Sequence, residues 1–262
     1  MNKMSLPFFK YQGTGNDFII IDGILNNLKS IDNSVVARLC DRKFGIGADG
    51  LMIIAKHENF SFEMVYYNSD GGLSTMCGNG GRCIAALAHK LGYCGPEVHF
   101  IAADGPHFAS IEGDEVALGM ADVDTIDIIK SSEYVLNTGS PHYVRFTEKE
   151  DLTNIVEEGK KIRYSEKYIS AGINVNLCFW DGLILHVATY ERGVEDETLS
   201  CGTGVTAAAL ATAHHYHLES PLLVQTKGGR LKVSFQRHDT SYTQVVLKGP
   251  ATPVFTGEIE LK

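Results

Sequence analysis

Two cysteines, Cys77 and Cys201, open closely similar segments, Cys77-Gly78-Asn79-Gly80-Gly81 and Cys201-Gly202-Thr203-Gly204. Small apolar residues follow each segment, so each cysteine is expected at a strand-to-helix junction. Glycine lets a backbone approach a ligand closely. The first amides of a helix have no backbone partner, and the helix dipole adds partial positive charge there. Such a junction suits a carboxylate or phosphate and favours thiolate over thiol. Two acid–base groups on opposite sides of one carbon can invert it. One takes a proton from one face, the other delivers a proton to the opposite face, and the roles swap with direction. Helix-start donors would hold an α-carboxylate and the enolate-like charge that develops on it. Because the α-proton of an amino acid is a very weak acid, the site must also exclude water. A free cysteine is otherwise a small buried hydrophobe, and Cys40, Cys83, Cys94 and Cys178 read that way.

These segments are one anchor of an internal repeat. A shift of 124 positions carries Tyr66 to Tyr190, Cys77 to Cys201, Gly78 to Gly202 and Gly80 to Gly204. The same shift carries Thr14-Gly15 to Thr138-Gly139 and Gly105 to Gly229. A period this long is a domain duplication. Two halves of similar fold would face each other across a pseudo-two-fold axis and bring one cysteine each to a shared cleft. The halves are read as 1–121 and 122–262, with a polar, irregular boundary near Ala121 to Ser131.

Strands outnumber helices in both halves. In the first, strands are expected at Phe18 to Asp22, Leu51 to Ile54, Phe62 to Tyr67, Val98 to Ala102 and Phe108 to Ile111. Helices are expected from Ser34, as N-cap, to Leu39 and from Arg82 to Leu91, the latter stopped by Gly92. In the second, strands are expected at Tyr143 to Phe146, Asn174 to Cys178, Leu183 to Tyr190, Leu222 to Val224, Leu231 to Phe235 and Thr243 to Leu247. A helix is expected from Gly204 to about His215. The two post-cysteine helices are apolar nearly all round, so each should be buried and wrapped by sheet. The fold class is therefore α/β, with each half a β-barrel-like sheet around a central apolar helix.

The 262 residues are comfortable for two domains. A net charge of −9 and the lack of a basic stripe argue against nucleic acid and anionic membranes. Met1 to Phe9 lacks a signal-peptide pattern, and no run of about 18 apolar residues exists, so a cytoplasmic chain is expected. Its cysteines should be free thiols and lack zinc-finger spacing. His214, His215 and His217 read as a solvated helix end, and no metal is expected. Gly45-Ile46-Gly47-Ala48-Asp49-Gly50 lacks the context of a dinucleotide fingerprint, and the Lys of Thr226-Lys227-Gly228-Gly229-Arg230 precedes its glycines, unlike a P-loop.

Gly13 to Phe18, Gly45 to Gly50, Asn68 with Met76 to Arg82, Gly139 to His142, Asn174 to Asn176, Tyr190 to Gly193 and Ser200 to Gly204 occur in the order seen in the diaminopimelate epimerase family, which the chain resembles from about Lys10 to Pro250. The resemblance implies conversion of LL-2,6-diaminopimelate to the meso form without pyridoxal phosphate or any other cofactor, a step that feeds lysine and, in many bacteria, peptidoglycan. It also implies two pseudo-symmetric domains and a cytoplasmic homodimer, and it allows the C-terminal tail to return to the first domain. Cys77 and Cys201 match the acid–base pair. Gly78 with Asn79, and Gly202 with Thr203, match donors around the reacting carboxylate. Asn16, Asn68 and Asn174 match positions that hold substrate. Glu191 and Arg192 match a substrate-binding pair, in keeping with Arg forking onto a carboxylate and Glu taking an ammonium. His142 and Glu191 match residues that tune the cysteines.

Two positions depart from the family: Gly50 stands where some members have Gln, and Ser140 where some have Asn. The stretch from Arg192 to Cys201 also looks one residue longer. Three alternatives stay open. Proline racemases and hydroxyproline epimerases are expected to carry a histidine after the first Cys-Gly, where this chain has Asn79. A binding module predicts ligand capture without α-proton exchange. A redox sensor predicts a reversible Cys77–Cys201 disulfide.

Overall fold

The computed structural model describes residues 4–261. Met1 to Lys3, the head of the N-terminal stretch read above, and Lys262 lie outside the described residues. The first elements are β1 (Met4–Gly13), β2 (Asn16–Asp22), α1 (Asn33–Cys40), β3 (Gly50–Ala55), β4 (Glu63–Asn68), β5 (Leu73–Ser74), α2 (Gly78–Lys90), β6 (Glu97–Ala102), β7 (Gly105–Glu112) and β8 (Glu115–Gly119). Then come β9 (Asp127–Lys130), β10 (Glu133–Asn137), β11 (Pro141–Phe146), a 3-10 turn (Glu150–Asn154), α3 (Ile155–Arg163), β12 (Asn174–Trp180), β13 (Ile184–Glu191) and β14 (Asp196–Thr198). The chain closes with α4 (Gly202–Tyr216), β15 (Leu222–Thr226), β16 (Gly229–His238), β17 (Ser241–Pro250) and β18 (Thr252–Leu261). It divides into two units. One runs to Leu118 and resumes at Pro250, and the other is Gly119–Gly249.

Each unit wraps mixed sheet around one helix. In the first, α2 packs against β1, β2, β3 and β7, and its residues from Gly78 to Ala85 are buried. Strands β2 and β3 run parallel, and every residue of β3 is buried, as expected for a strand covered on both faces. The outer face carries α1 over a cluster that includes Ile19, Ile21, Val36 and Leu51. In the second unit α4 takes the central place, packed against β11, β12, β13, β15 and β16. Its core includes Val205, Ala208, Leu210 and Leu222. Helix α3 covers the outer face through Ile155, beside Val175 and Tyr190.

The pairing pattern repeats. Strand β2 pairs parallel with β3, then β3–β4 and β4–β5 pair antiparallel, β4 pairs parallel with β6, and β6–β7 and β7–β8 pair antiparallel. The second unit repeats these relations with β11, β12, β13, β14, β15, β16 and β17. Strand β18 lies antiparallel on β1, as β9 does on β10. The register repeats too: Phe18 faces Gly50 in the first unit, and His142 faces Asn174 in the second, both offset by 124.

One anchor of the sequence repeat needs correction. Leu51 faces Tyr67, while Val175 faces Tyr190, so Tyr190 answers to Tyr67 and not to Tyr66. The cause is the preceding hairpin, where residues 52–66 separate the paired Leu51 and Tyr67 but 176–189, one residue fewer, separate Val175 and Tyr190; the turn before β14 then makes up the difference. Residues 68–72 separate the paired Tyr67 and Leu73, whereas 191–196, one residue more, separate Tyr190 and Glu197. After this turn the offset returns to 124, which is why the cysteines align without a gap.

Candidate active site

The two post-cysteine helices begin earlier than the sequence reading placed them. Helix α2 starts at Gly78 and α4 at Gly202, so Cys77 and Cys201 are themselves the N-cap residues. Both have extended backbones, with φ and ψ of −103° and 128° at Cys77 and −113° and 114° at Cys201. Neither cysteine side chain makes a capping hydrogen bond. Unpaired helix-start amides of this kind suit an anion. Cys77 is half-buried and Cys201 is buried. The other four cysteines are poor nucleophiles. Burial pushes the Cys40 thiol up to about 11 and Cys83 to about 12, and it raises Cys94 and Cys178 as well.

Around Cys77 the side chains form an anchored network. The Cys77 thiol donates to Asn16 Oδ1 at 3.6 Å. The Asn16 amide cannot turn round, because its Nδ2 donates to Asp49 Oδ2 at 2.6 Å. Asp49 also accepts from Arg42 Nη2 at 2.8 Å and from the Asp17 amide at 3.1 Å. Asn79 Nδ2 reaches the same Asn16 Oδ1 at 3.4 Å. Asn79 Oδ1 in turn accepts from Arg82 Nη2 at 3.1 Å and from Thr14 Oγ1 at 3.4 Å. Arg82 is fully buried. It donates to Gly78 O, Thr14 Oγ1 and Pro250 O besides Asn79, and has no carboxylate partner among the described residues. Asn68 is exposed at the end of β4, across from Gly50. A Cβ at Gly50 would lie 2.6 Å from Tyr66 Cε2 and 2.6 Å from Tyr67 O. The Tyr66 ring thus occupies the space that a longer side chain would need.

Around Cys201 a hydroxyl and an imidazole stand in line. Cys201 Sγ lies 3.5 Å from Thr203 Oγ1, which lies 2.9 Å from His142 Nε2. His142 is fully buried. Burial, reinforced by Arg192, pushes its imidazole down to about 3. Asn174 Nδ2 donates to Ser140 Oγ at 2.9 Å and Pro141 O at 3.1 Å. Its Oδ1 accepts from the Arg192 amide at 2.9 Å. Glu191 closes β13 half-buried, and Arg192 is exposed. The Arg192 guanidinium donates to Ala171 O at 3.1 Å and Ser140 Oγ at 3.4 Å. Among the described residues it has no carboxylate partner, so it is not held in a surface salt bridge.

The predicted residues thus gather in two groups, each within its own unit. Asn16, Asn79 and Gly78 surround Cys77, while Thr203, Gly202, His142, Asn174 and Arg192 surround Cys201 or its support. Among the described residues Asn68 makes no side-chain hydrogen bond to the first group. Sequence reasoning missed Arg82 and Asp49. Arg82 had a signal, a charge in an otherwise apolar helix. Asp49 lies in the Gly45 to Gly50 stretch, which carries part of the resemblance without a role for its carboxylate. The histidine reading also needs correction. His214 and His215 are half-buried, not solvated. His215 stacks on Phe146 at 4.8 Å and its Nδ1 meets the Tyr134 hydroxyl at 2.6 Å.

Comparison with known proteins identifies relatives of the whole chain. The family model described as diaminopimelate epimerase matches residues 8–124 and 134–254. The diaminopimelate epimerase of Flavobacterium psychrophilum is 47% identical, over 95% of this chain and 98% of that one. That of Chlorobaculum tepidum is 38% identical, over 95% and 99%. Among solved structures, a hydroxyproline epimerase from Agrobacterium vitis with bound trans-4-hydroxy-L-proline superposes at TM-score 0.70 with 15% identity, over 98% and 93% of the chains. A Bacillus anthracis protein of the PhzF phenazine-biosynthesis family superposes at 0.72 with 14% identity, over 98% and 100%. At such identities these structures speak for the fold alone. With the family model spanning nearly the whole chain and two relatives above a third identical, the chain belongs to the diaminopimelate epimerase family.

Proposed function

We propose that this chain is an isomerase that converts LL-2,6-diaminopimelate to the meso form by proton transfer between Cys77 and Cys201. The observation that carries this reading is the matched pair of cysteine N-caps, one on the central helix of each duplicated unit. In this reading the thiolate of one cysteine takes the α-proton and the thiol of the other protonates the opposite face. The Gly78 and Asn79 amides and the Gly202 and Thr203 amides hold the reacting carboxylate and the charge that develops on it. Asn16, Asn68 and Asn174 hold substrate, Arg192 takes the distant carboxylate and Glu191 an ammonium. His142 and Glu191 tune the cysteines. The reaction needs no cofactor in this scheme, and the enzyme works as a cytoplasmic homodimer. Among the described residues no helix is long and apolar enough to cross a membrane.

The test is conversion of LL-diaminopimelate by reduced protein, with chelator and without pyridoxal phosphate. Appearance of the meso isomer is the expected result. Turnover of proline or hydroxyproline in place of diaminopimelate would overturn the substrate assignment. Tight binding of an amino acid with no α-proton exchange would overturn the reaction.

A further inference from the structure

Asn176 lies on β12, outside the set of residues assigned above, and is fully buried. Its amide is fixed on both sides. Nδ2 donates to the backbone oxygen of Tyr143 at 3.1 Å, and a carbonyl can only accept. Oδ1 accepts from Thr189 Oγ1 at 2.9 Å. With that orientation set, Nδ2 also presents a hydrogen to His142 Nδ1 at 3.1 Å. A ring nitrogen facing a donor must offer its lone pair, so the proton of a neutral His142 sits on Nε2.

The consequence runs outward. His142 Nε2–H donates to Thr203 Oγ1 at 2.9 Å. The Thr203 hydroxyl then keeps its own hydrogen, and its one other side-chain partner among the described residues is Cys201 Sγ at 3.5 Å. The 3.5 Å approach of Asn174 Nδ2 to His142 Nε2 is a contact between two donors and not a bond, because Asn174 Nδ2 is already given to Ser140 and Pro141. The packing is built for this line of groups. A Cβ at Gly204 would lie 2.6 Å from Asn176 Oδ1 and 3.3 Å from His142 Cε1. The last glycine of the Cys201-Gly-Thr-Gly segment is therefore required by Asn176 and His142, and not only by a ligand.

We propose that Asn176 is a positioning residue for Cys201. It locks His142 in the neutral, Nε2-protonated tautomer, and through it aims the Thr203 hydroxyl hydrogen at Cys201 Sγ, so that this sulfur accepts a hydrogen bond and favours the thiolate. The inference rests on the reading of Cys201 as an acid–base group, yet its geometry can be tested without turnover.

The experiment uses the reduced, full-length protein without substrate. Nitrogen NMR of histidine-labelled protein, with His142 assigned through His142→Asn, is expected to show a bare Nδ1 and a protonated Nε2. Finding the proton on Nδ1, or on both nitrogens at neutral pH, would overturn the proposal. Asn176→Asp replaces the donor by an acceptor and is expected to move the proton to Nδ1. Asn176→Leu is expected to slow iodoacetamide alkylation of Cys201 about fivefold, the size of one lost hydrogen bond, and to leave Cys77 unchanged. In a Thr203→Val background the same change is expected to have less than about a twofold effect, because the line is already cut. Equal slowing of both cysteines, or an undiminished effect in the Thr203→Val background, would show a merely structural role. The NMR result on the unaltered protein stands even if a variant fails to fold. Failure to convert diaminopimelate would count against the proposed function and leave these readouts as they are.

Discussion

The Cys77 and Cys201 junctions share a backbone and differ in nearly every side chain that supports it. Both cysteines are extended N-caps, and both helices begin on glycine. Five positions on, the duplication places Arg82 in one helix and Thr206 in the other, both fully buried. Each caps the corresponding carbonyl, Arg82 at Gly78 O and Thr206 at Gly202 O. A guanidinium brings a permanent charge to that task, whereas a hydroxyl brings none. At the second residue after the cysteine, Asn79 stands opposite Thr203. The polarity at sulfur differs as well. The Cys77 thiol donates to an anchored carbonyl oxygen, while Cys201 lies beside a hydroxyl supported by a neutral imidazole. The duplication has kept the cysteine N-cap backbone twice and let the side chains diverge. In the proposed reaction one sulfur is thiolate while the other is thiol, and such asymmetry would set which of them keeps the proton.

The comparison can be broken most severely at the sulfurs themselves. Cys77→Ala and Cys201→Ala are each expected to lower epimerisation by at least about a thousandfold, with unchanged circular dichroism. Near-normal turnover in either variant would contradict the need for both junctions. The supporting residues should differ in weight. Arg82→Met leaves several buried acceptors without a donor and is expected to destabilise by about 3 kcal/mol, read from chemical denaturation. Thr206→Val removes one capping bond and is expected to cost about 1 kcal/mol. Equal effects would deny that the buried charge distinguishes the first unit.

His142 gives a pH signature to the second unit. Its folded-state value, about 3, lies below the ordinary 6.5, so the unfolded chain binds the proton more readily. Folding stability is therefore fully expressed above pH 6.5 and falls as pH drops toward 3, with a limiting slope from this group of about 1.4 kcal/mol per unit. His142→Asn should flatten that fall, as measured by denaturation at a series of pH values. The smallest effect concerns the other cysteines. Iodoacetamide at neutral pH is expected to label Cys77 and Cys201 well before Cys40, Cys83, Cys94 or Cys178, by peptide mass spectrometry.

The duplication and the two cysteine-capped helices were legible because they depend on periodic apolar residues and on a spacing that survives in the chain. Other features depend on competition that spacing does not reveal. Ser34 read as the cap of α1, yet Asp32 is the cap and accepts from both the amide and the hydroxyl of Ser34. A carboxylate two residues earlier outcompetes the serine. Helix α3 was missed because only Ile155 and Gly159 of it are buried, and its charged face hides the period. The starts of α2 and α4 were placed late because glycines count against helix by propensity, while burial against the sheet holds them helical here. In the site, Arg192 and Asn174 could be named from motif, but the link between them through Ser140 could not. It is made by three segments distant in sequence.

The central claim is that two different sulfurs serve the two faces of one carbon. It is tested most directly by proton NMR and mass analysis of LL-diaminopimelate turned over in heavy water, sampled early in the reaction. The account predicts that the meso product carries deuterium at the inverted carbon while the remaining LL substrate keeps its α-hydrogen, because the proton taken by one cysteine is not the one delivered by the other. A meso product that retains the substrate's own hydrogen would mean a single group serves both faces, and would contradict the account.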